Sequence, residues 1–416
     1  MVEKLKQAHG NYVEGDRFWG REDDLRLFQK KIHEGAHQVL LAQRRMGKTS
    51  LMKETARLLN DSYTCLYVDL QKCRDSADAM VELSKAIYPH KKLWGKVMGA
   101  FSNIVGTILD RIDTINISEI GVTIRGGLTS ADWSDKGDQL MAILAGSDKP
   151  VLLFLDELPI LVNRMLKGDD FTITSEKRGK ADDFMSWLRK NSLQYQGQLR
   201  IVVSGSIGLD PILRQAGLSA TMNNFPPFEL KPWDETTAAG CLNALAKEYG
   251  ITFLDDADKA IVKRIGCCIP HHVQIFFDSI LEACERRKRF EFKADEVEGI
   301  YEKEMLGVRC QKELTHYEER LKTVLGPDLN TLAVEMLSEA AITGVLSRKA
   351  LEAFRKLYIF EGYTGIEAQQ EIISVLEHDG YVVPGNDGYV FVSNLIRDWW
   401  KKRNALFYTP VLEREV

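Results

Sequence analysis

The stretch VLLAQRRMGKTS, Val39 to Ser50, sets Gly47, Lys48 and Thr49 in a row after a short apolar run. That order suits phosphate chemistry. Backbone N–H groups of a tight loop at a helix start cradle phosphate oxygens, a lysine reaches the terminal phosphates, and a threonine hydroxyl binds Mg2+. Ala42 stands where the first glycine of the G-x-x-x-x-G-K-[ST] pattern belongs. A methyl is the smallest addition to a glycine, so the position needs only a backbone conformation open to an L-residue. We read Gln43, Arg44, Arg45, Met46, Gly47, Lys48, Thr49 and Ser50 as a working nucleotide loop with a tolerated substitution. The alternative is a chance G-K-T on a solvated helix start.

A second element is VLLFLDELP, an apolar run that ends in Asp156 and Glu157. In a phosphate-loop enzyme an aspartate at a strand tip orients Mg2+ and its water, and a neighbouring glutamate polarises the attacking water as general base. Such a run is common alone and gains weight from following the loop with one strand between. A third is IVVSGSIG, whose tip carries Ser204 and Ser206, placed to sense the terminal phosphate or water; equally, these serines could only satisfy a turn.

Other residues carry less. Arg189, Arg200 and Arg214 are candidates for a catalytic arginine and read better as surface or structural groups. His271 and His272 lack a second pair of metal ligands and fit the start of a helix instead. Trp399 and Trp400, followed by Lys401, Lys402 and Arg403, suggest stacking on nucleic acid, but packing into a small core is the better reading.

These residues need a scaffold, and residues 38 to 206 supply its rhythm: short apolar strands alternate with helical stretches, as in a parallel α/β sheet. QVLLAQ, TCLYVDL, KPVLLFLDELP and LRIVVSGSIG read as strands, the last two as central ones covered on both faces. KTSLMKETARLLN spaces Leu51, Met52, Ala56, Leu58 and Leu59 as a helix face would. Residues 91–145 form an insertion. Within it, VMGAFSNIVGTILDRIDTI fits a buried or amphipathic helix and INISEIGVTIRGGL a hairpin. Lys167 to Asp183, polar and mixed in charge, reads as a mobile surface loop.

Past Pro232 the pattern turns helical: WDETTAAGCLNALAKEYG, DDADKAIVKRIG, PHHVQIFFDSILEACERRKR and KADEVEGIYEKEML, with Asp234 and Asp255 placed as helix caps. From about Gly326 three helices precede YVVPGNDGYVFV, two strands around an Asn-Asp-Gly turn. Those are the ingredients of a winged helix. The expected domains are 1–230, a P-loop α/β domain with the insertion; 231–325, a helical lid; and 326–416, a winged-helix-like domain.

The 416-residue chain is 44% hydrophobic and 28% charged, which excludes a disordered or fibrous protein. A net charge of −5 gives no global pull toward nucleic acid, so DNA contact would need a local basic face. Seven scattered cysteines without a C-x-x-C pair argue against a disulfide framework or a zinc site and fit reduced thiols in the cytoplasm. No signal peptide and no membrane-spanning apolar run is evident, so no membrane partner is expected.

Taken together, FWGREDDLRLF (with Phe18, Gly20, Arg21 and Glu22), QRRMGKTSL, LLFLDEL, VSGSIGL and IGCCIPHHVQ resemble the archaeal-type ATPase branch of the STAND and AAA+-like P-loop proteins. The resemblance spans about residues 15 to 290, and the tail is similar to the winged-helix domain that often follows. It implies an α/β P-loop NTPase sheet with a helical lid and a C-terminal winged-helix-like domain. It also implies an ATP-driven, Mg2+-dependent switch that self-associates, with an adjacent subunit contributing to the site. Carried over by position, Lys48 and Thr49 hold phosphate and Mg2+, Asp156 the metal shell, Glu157 the water, and Ser204 or Ser206 the sensor. Arg21 joins the nucleotide-binding set, Arg44 and Arg45 touch phosphates or a neighbour, and a histidine at the lid start lies near the adenine. The chain departs from the stricter AAA+ pattern in lacking a sensor asparagine and a clear lid arginine.

Three functional classes follow. The first is an ATPase acting as a regulatory switch or assembly platform with a protein partner, in signalling or phage defence. The second is a DNA-binding ATPase similar to origin-recognition initiators, working through the C-terminal domain. The third is a non-enzymatic, nucleotide-stabilised scaffold. The acidic balance counts against the second; a basic face on SRKALEAFRKLY (Arg348, Lys349, Arg355, Lys356) would favour it.

Overall fold

The computed structural model describes residues 5–8, 10–105, 117–129, 132–360 and 364–414. It divides into two compact units: one of Met1–Glu22, Ala42–Ser50 and Leu230–Val416, and one of Asp23–Leu41 and Leu51–Glu229.

The second unit is built on five strands, β1 (Gln38–Leu41), β2 (Thr64–Asp69), β3 (Val151–Asp156), β4 (Leu199–Ser204) and β5 (Pro227–Glu229), in the order β2-β3-β4-β1-β5. All neighbouring pairs are parallel. Their carboxyl ends therefore share one edge. All six residues of β3 are buried, as a continuous apolar run requires when helices cover both faces of a sheet. The helix Leu158–Lys167 buries Leu158, Leu161, Val162 and Leu166, one apolar stripe at helical spacing. Trp133, Phe184 and Trp187 form an aromatic cluster between the helices Trp133–Ala145 and Ser175–Gln194.

Two expectations are corrected here. INISEIGVTIRGGL contains no hairpin among its described residues; Ile117–Gly127 is a helix. Gly121, Ile124 and Leu128 are buried while Val122 is exposed, so the buried positions step by three and four, not two. Arg125 anchors this helix to the start of the helix Ser76–Ile87, donating to Asp75 at 2.7 Å and to Asp78 at 2.5 Å. The segment Lys167 to Asp183 is also no mobile loop over most of its length. It enters the helix Ser175–Gln194, capped by Thr174, whose hydroxyl accepts from Lys177 N at 3.2 Å. Before the cap, the Lys177 ammonium donates to the carbonyls of Lys167 and Thr172 at 3.0 and 3.1 Å and pairs with Asp170. The helix starts with solvated residues and buries only its later half, through Ala181, Phe184, Met185 and Leu188. In VMGAFSNIVGTILDRIDTI, Val97 and Met98 lie on the buried face of the helix Lys91–Ala100, and residues 106–116 lie outside the described residues.

The first unit is mainly helical. Glu235–Glu248, Ala257–Ile265 and Pro270–Arg287 pack with a small parallel pair, β6 (Thr252–Leu254) and β7 (Glu291–Lys293). Asp234 caps its helix by accepting from Thr237 N at 2.7 Å. Asp255 does not cap the next helix. Asp256 holds the N-cap position, with a left-handed backbone and no capping bond from its side chain.

The helical run Val308–Thr343 is broken at Gly326, whose φ of 78° no helix accepts. Then follow β8 (Leu346–Ser347), the helices Arg348–Leu357 and Gly365–His378, the hairpin strands β9 (Val382–Pro384) and β10 (Gly388–Phe391), and the helix Asn394–Asn404. The last three strands form a small antiparallel sheet in the order β8-β10-β9. Trp399 and Trp400 are core residues, each 1% exposed, and Trp400 Nε1 donates to Ser338 Oγ at 3.1 Å. Packing, not stacking on a ligand, accounts for both rings. Among the described residues no helix is long and apolar enough to cross a membrane.

Candidate functional site: a phosphate-type loop and a strand-tip acid pair

In the first unit, the loop that leaves β1 folds around its own lysine. Lys48 Nζ donates to the carbonyls of Ala42 at 2.7 Å and Gln43 at 3.0 Å, curving the backbone into a ring. Gly47 has φ 93°, a conformation that favours glycine, and a Cβ built there would meet no atom within 4 Å. The backbone is thus open to a ligand at the point where a phosphate loop requires it. Ala42 is not among the described residues with a left-handed backbone, so its methyl costs the loop no strain.

The segment before the first helix props the loop. Gly20, at φ 64°, lies where a Cβ would come within 2.4 Å of Thr237 Cγ2, and Trp19 Nε1 donates to Thr237 O at 3.3 Å. This close approach places buried Arg21, whose Nη2 donates to the carbonyl of Met46 at 3.1 Å. Ser50 Oγ accepts from Val13 N at 3.0 Å. Arg21 and Ser50 thus shape the loop from behind, and the Met46 side chain is core, 1% exposed.

Gln43, Arg44 and Arg45 meet protein groups of the same unit. Gly380 accommodates Gln43, since a Cβ there would lie 1.9 Å from Gln43 Cδ. Burial, with the neighbouring charges of Arg320 and Arg45, holds the Arg44 guanidinium down to about 10, against a smaller opposing pull from Tyr317 and Glu313; its Nη1 is buried without a hydrogen-bond partner among the described residues. Arg45, left-handed at φ 67°, pairs with Glu313 and donates to Gly10 O at 3.3 Å. Glu313 also meets His271 Nε2 at 3.2 Å. That bond and the Arg45 charge hold the Glu313 carboxyl down to about 2. His272 is fully buried, and burial with the nearby cations pushes it down to about 3, so it is neutral at pH 7.

In the second unit, the tips of β2, β3 and β4 converge on the acid pair. Register sets Asp69 opposite Asp156 and Tyr67 opposite Phe154. Buried Asp156 accepts from Ser204 Oγ at 2.7 Å through Oδ1 and from the Tyr67 hydroxyl through Oδ2. Lys53 Nζ lies 3.8 Å from the centre of the Tyr67 ring, a cation–π contact. Glu157 has a left-handed backbone, φ 59°, and its Oε2 accepts from Ser206 N at 2.9 Å and Ser206 Oγ at 2.6 Å. The four residues expected at the two strand tips are therefore brought together within this unit. Tyr67 and Glu313 were not foreseen. Tyr67 was legible in principle, two residues before the tip of a strand that pairs with β3, whereas Glu313 had no local signal.

The candidate arginines are tied to their own surroundings. Arg189 donates to Ala220 O, Arg200 to Ile32 O at 3.2 Å and Leu199 O at 3.1 Å, and Arg214 pairs with Asp210. The structure engages each of them as a structural group.

No family model matches the chain, and no curated protein matches it. Solved structures do. A Walker-type ATPase of Pyrococcus abyssi aligns over 96% of this chain and 100% of its own, at 15% identity and a TM-score of 0.59. The Aeropyrum pernix ORC2 protein, solved with ADPNP and ADP, aligns over 95% and 97% at 12% identity and a TM-score of 0.50. At such identities the likeness establishes architecture: the chain has the α/β fold of P-loop, Walker-type ATPases.

Proposed function

We propose that this chain binds and hydrolyses ATP with Mg2+ and works as a nucleotide-dependent switch that assembles with itself or with a protein partner. The observation that carries the reading is the edge chemistry of one parallel sheet. β1 runs straight into a G-K-T loop with an open backbone at Gly47, while β3 and β4 end in a carboxylate pair and its serine donors. The donor set fits a magnesium nucleotide: backbone N–H groups, Lys48 and Thr49 for phosphate and metal, and Asp156 for the metal's water shell.

Bound Mg2+ supplies charge neutralisation of the phosphate oxygens. The chain's own residues do the rest. Lys48 exchanges its loop carbonyls for phosphate oxygens and stabilises their charge. Asp156, fixed at both oxygens, holds its orientation. Glu157 takes a proton from water as the water oxygen bonds to the γ-phosphorus and the bond to the β–γ bridging oxygen breaks, releasing ADP and phosphate.

Equilibrium titration with ATP and Mg2+ tests the binding half. Lys48→Ala abolishes tight binding; affinity equal to the parent protein would remove the loop from the account.

For the switch, a protein partner is favoured over DNA by the helix Gly365–His378. It carries Glu367, Glu371 and Glu377 and no lysine or arginine, so a duplex laid on it would meet like charge. The preceding helix does expose Arg348, Lys349 and Lys356. Fluorescence anisotropy of a labelled duplex against the Glu157→Gln protein, with ATP at low and moderate salt, separates the two: salt-sensitive, Lys48-dependent binding would establish the DNA reading, and none at micromolar protein is expected.

A further inference from the structure

The tips of β3 and β4 are matched residue for residue. Ser204 serves Asp156, Ser206 serves Glu157, and Gly205 between them rests on Pro159, where a Cβ would lie 2.5 Å from both Cδ and Cγ of the ring. Only a glycine lets the S-G-S turn pass that close. Glu157 in turn holds a left-handed backbone, which is unfavourable for a non-glycine residue and persists where the surroundings over-determine it.

The sequence leaves Ser206 as a sensor of phosphate or water. The geometry points elsewhere. Ser206 has two donors, its backbone N–H and its hydroxyl, and both go to Oε2 of Glu157, at 2.9 and 2.6 Å. Neither is left for a phosphate oxygen. Glu157 Oε1 receives no hydrogen bond from any described residue, and the side chain is only half-buried.

We propose that Ser206 is the positioning residue of the general base: it clamps one carboxylate oxygen of Glu157 so that the other is presented to the attacking water. The inference rests on the reading of Glu157 as base. A carboxylate pinned at one oxygen by two donors loses the χ3 rotation that would otherwise exchange its oxygens, and this orientation is what makes a base efficient.

The test compares Ser206→Ala, Ser206→Thr, Glu157→Gln and the double variant Ser206→Ala/Glu157→Gln in the full chain. ATP affinity is measured by titration, turnover by phosphate release across pH, and folding by thermal unfolding. Ser206→Ala is expected to keep ATP affinity within about two-fold and to lose about 10- to 100-fold in kcat. Ser206→Thr keeps both donors and restores most of the turnover. In the double variant the serine change adds nothing to the loss from Glu157→Gln, because the two residues act as one unit. If Glu157→Gln turns over like the parent, the base assignment itself fails. If Glu157→Gln is inactive while Ser206→Ala matches or exceeds the parent rate, the clamp is overturned with the base intact. A drop in affinity equal to the drop in rate, or a loss that Ser206→Thr does not restore, would overturn it as well.

Discussion

Arg45, the second arginine of the phosphate-type loop, is ion-paired with Glu313, the sixth residue of the helical run Val308–Thr343. Both side chains are a little over one-quarter exposed, and the carboxylate is shared with His271. A left-handed loop residue is thus held by a charge distant in sequence. Replacing Glu313 by Gln leaves the guanidinium without its counter-charge at a partly desolvated place. The expected loss of stability is about 1–3 kcal/mol, read from urea unfolding; an unchanged midpoint would show that the pair is screened away.

The same cluster gives a pH dependence with a definite sign. The Glu313 carboxyl sits at about 2 when folded, below its unfolded value of about 4.3. Its contribution is present at neutral pH and is lost as pH falls from the unfolded value toward the folded one. His272, about 3 when folded against about 6.5 unfolded, acts the same way over a higher window, because the unfolded chain takes up its proton first. Unfolding free energy should therefore start to fall below pH 6.5 and fall further below pH 4.3. His272→Phe is expected to flatten the upper part and Glu313→Gln the lower, measured in urea at successive pH values.

Tyr67→Phe isolates one donor to the acid pair. Asp156 keeps Ser204 but loses the phenol at Oδ2, in a place where it is only 7% exposed. A buried hydrogen bond to a charged group is worth about 1.5–3 kcal/mol, and a loss in that range is expected from chemical denaturation. No change would mean that water replaces the phenol.

Gly205→Ala tests the packing of the S-G-S turn on Pro159. The added methyl must displace a proline ring at 2.5 Å, so about 1–3 kcal/mol of destabilisation is expected in thermal unfolding. The equivalent change at Gly179, where a Cβ meets nothing within 4 Å, should cost nothing and serves as the comparison.

The parts of the fold legible in the sequence were those where one physical requirement dominates. β3 had to be apolar up to its terminal Asp156 and β4 nearly so because helices cover both faces, and the G-K-T and D-E stretches had to follow apolar strands to sit at a sheet edge. Ile117–Gly127 was misread because its apolar residues and glycines alternate locally; the glycines serve close approach instead, Gly121 against Lys85 and Gly127 against Ile104. The helix Ser175–Gln194 was hidden by its solvated first turns, whose ion pair Lys180–Glu176 looks like loop polarity in sequence. Glu313 and Gly380 carry no local signal that makes them parts of a site. Their roles exist only through partners far away in the chain, which local periodicity does not encode.

If Glu157 activates water for ATP hydrolysis on a chain whose Lys48 loop holds the nucleotide, removing its carboxylate stops turnover without releasing ATP. Phosphate release from saturating ATP and Mg2+, by the parent protein and by Glu157→Gln at matched occupancy, tests it most directly. Measurable turnover is expected in the parent and a loss of about 100-fold or more in the variant with ATP still bound. Equal rates in the two proteins, or no turnover in the parent, would contradict it.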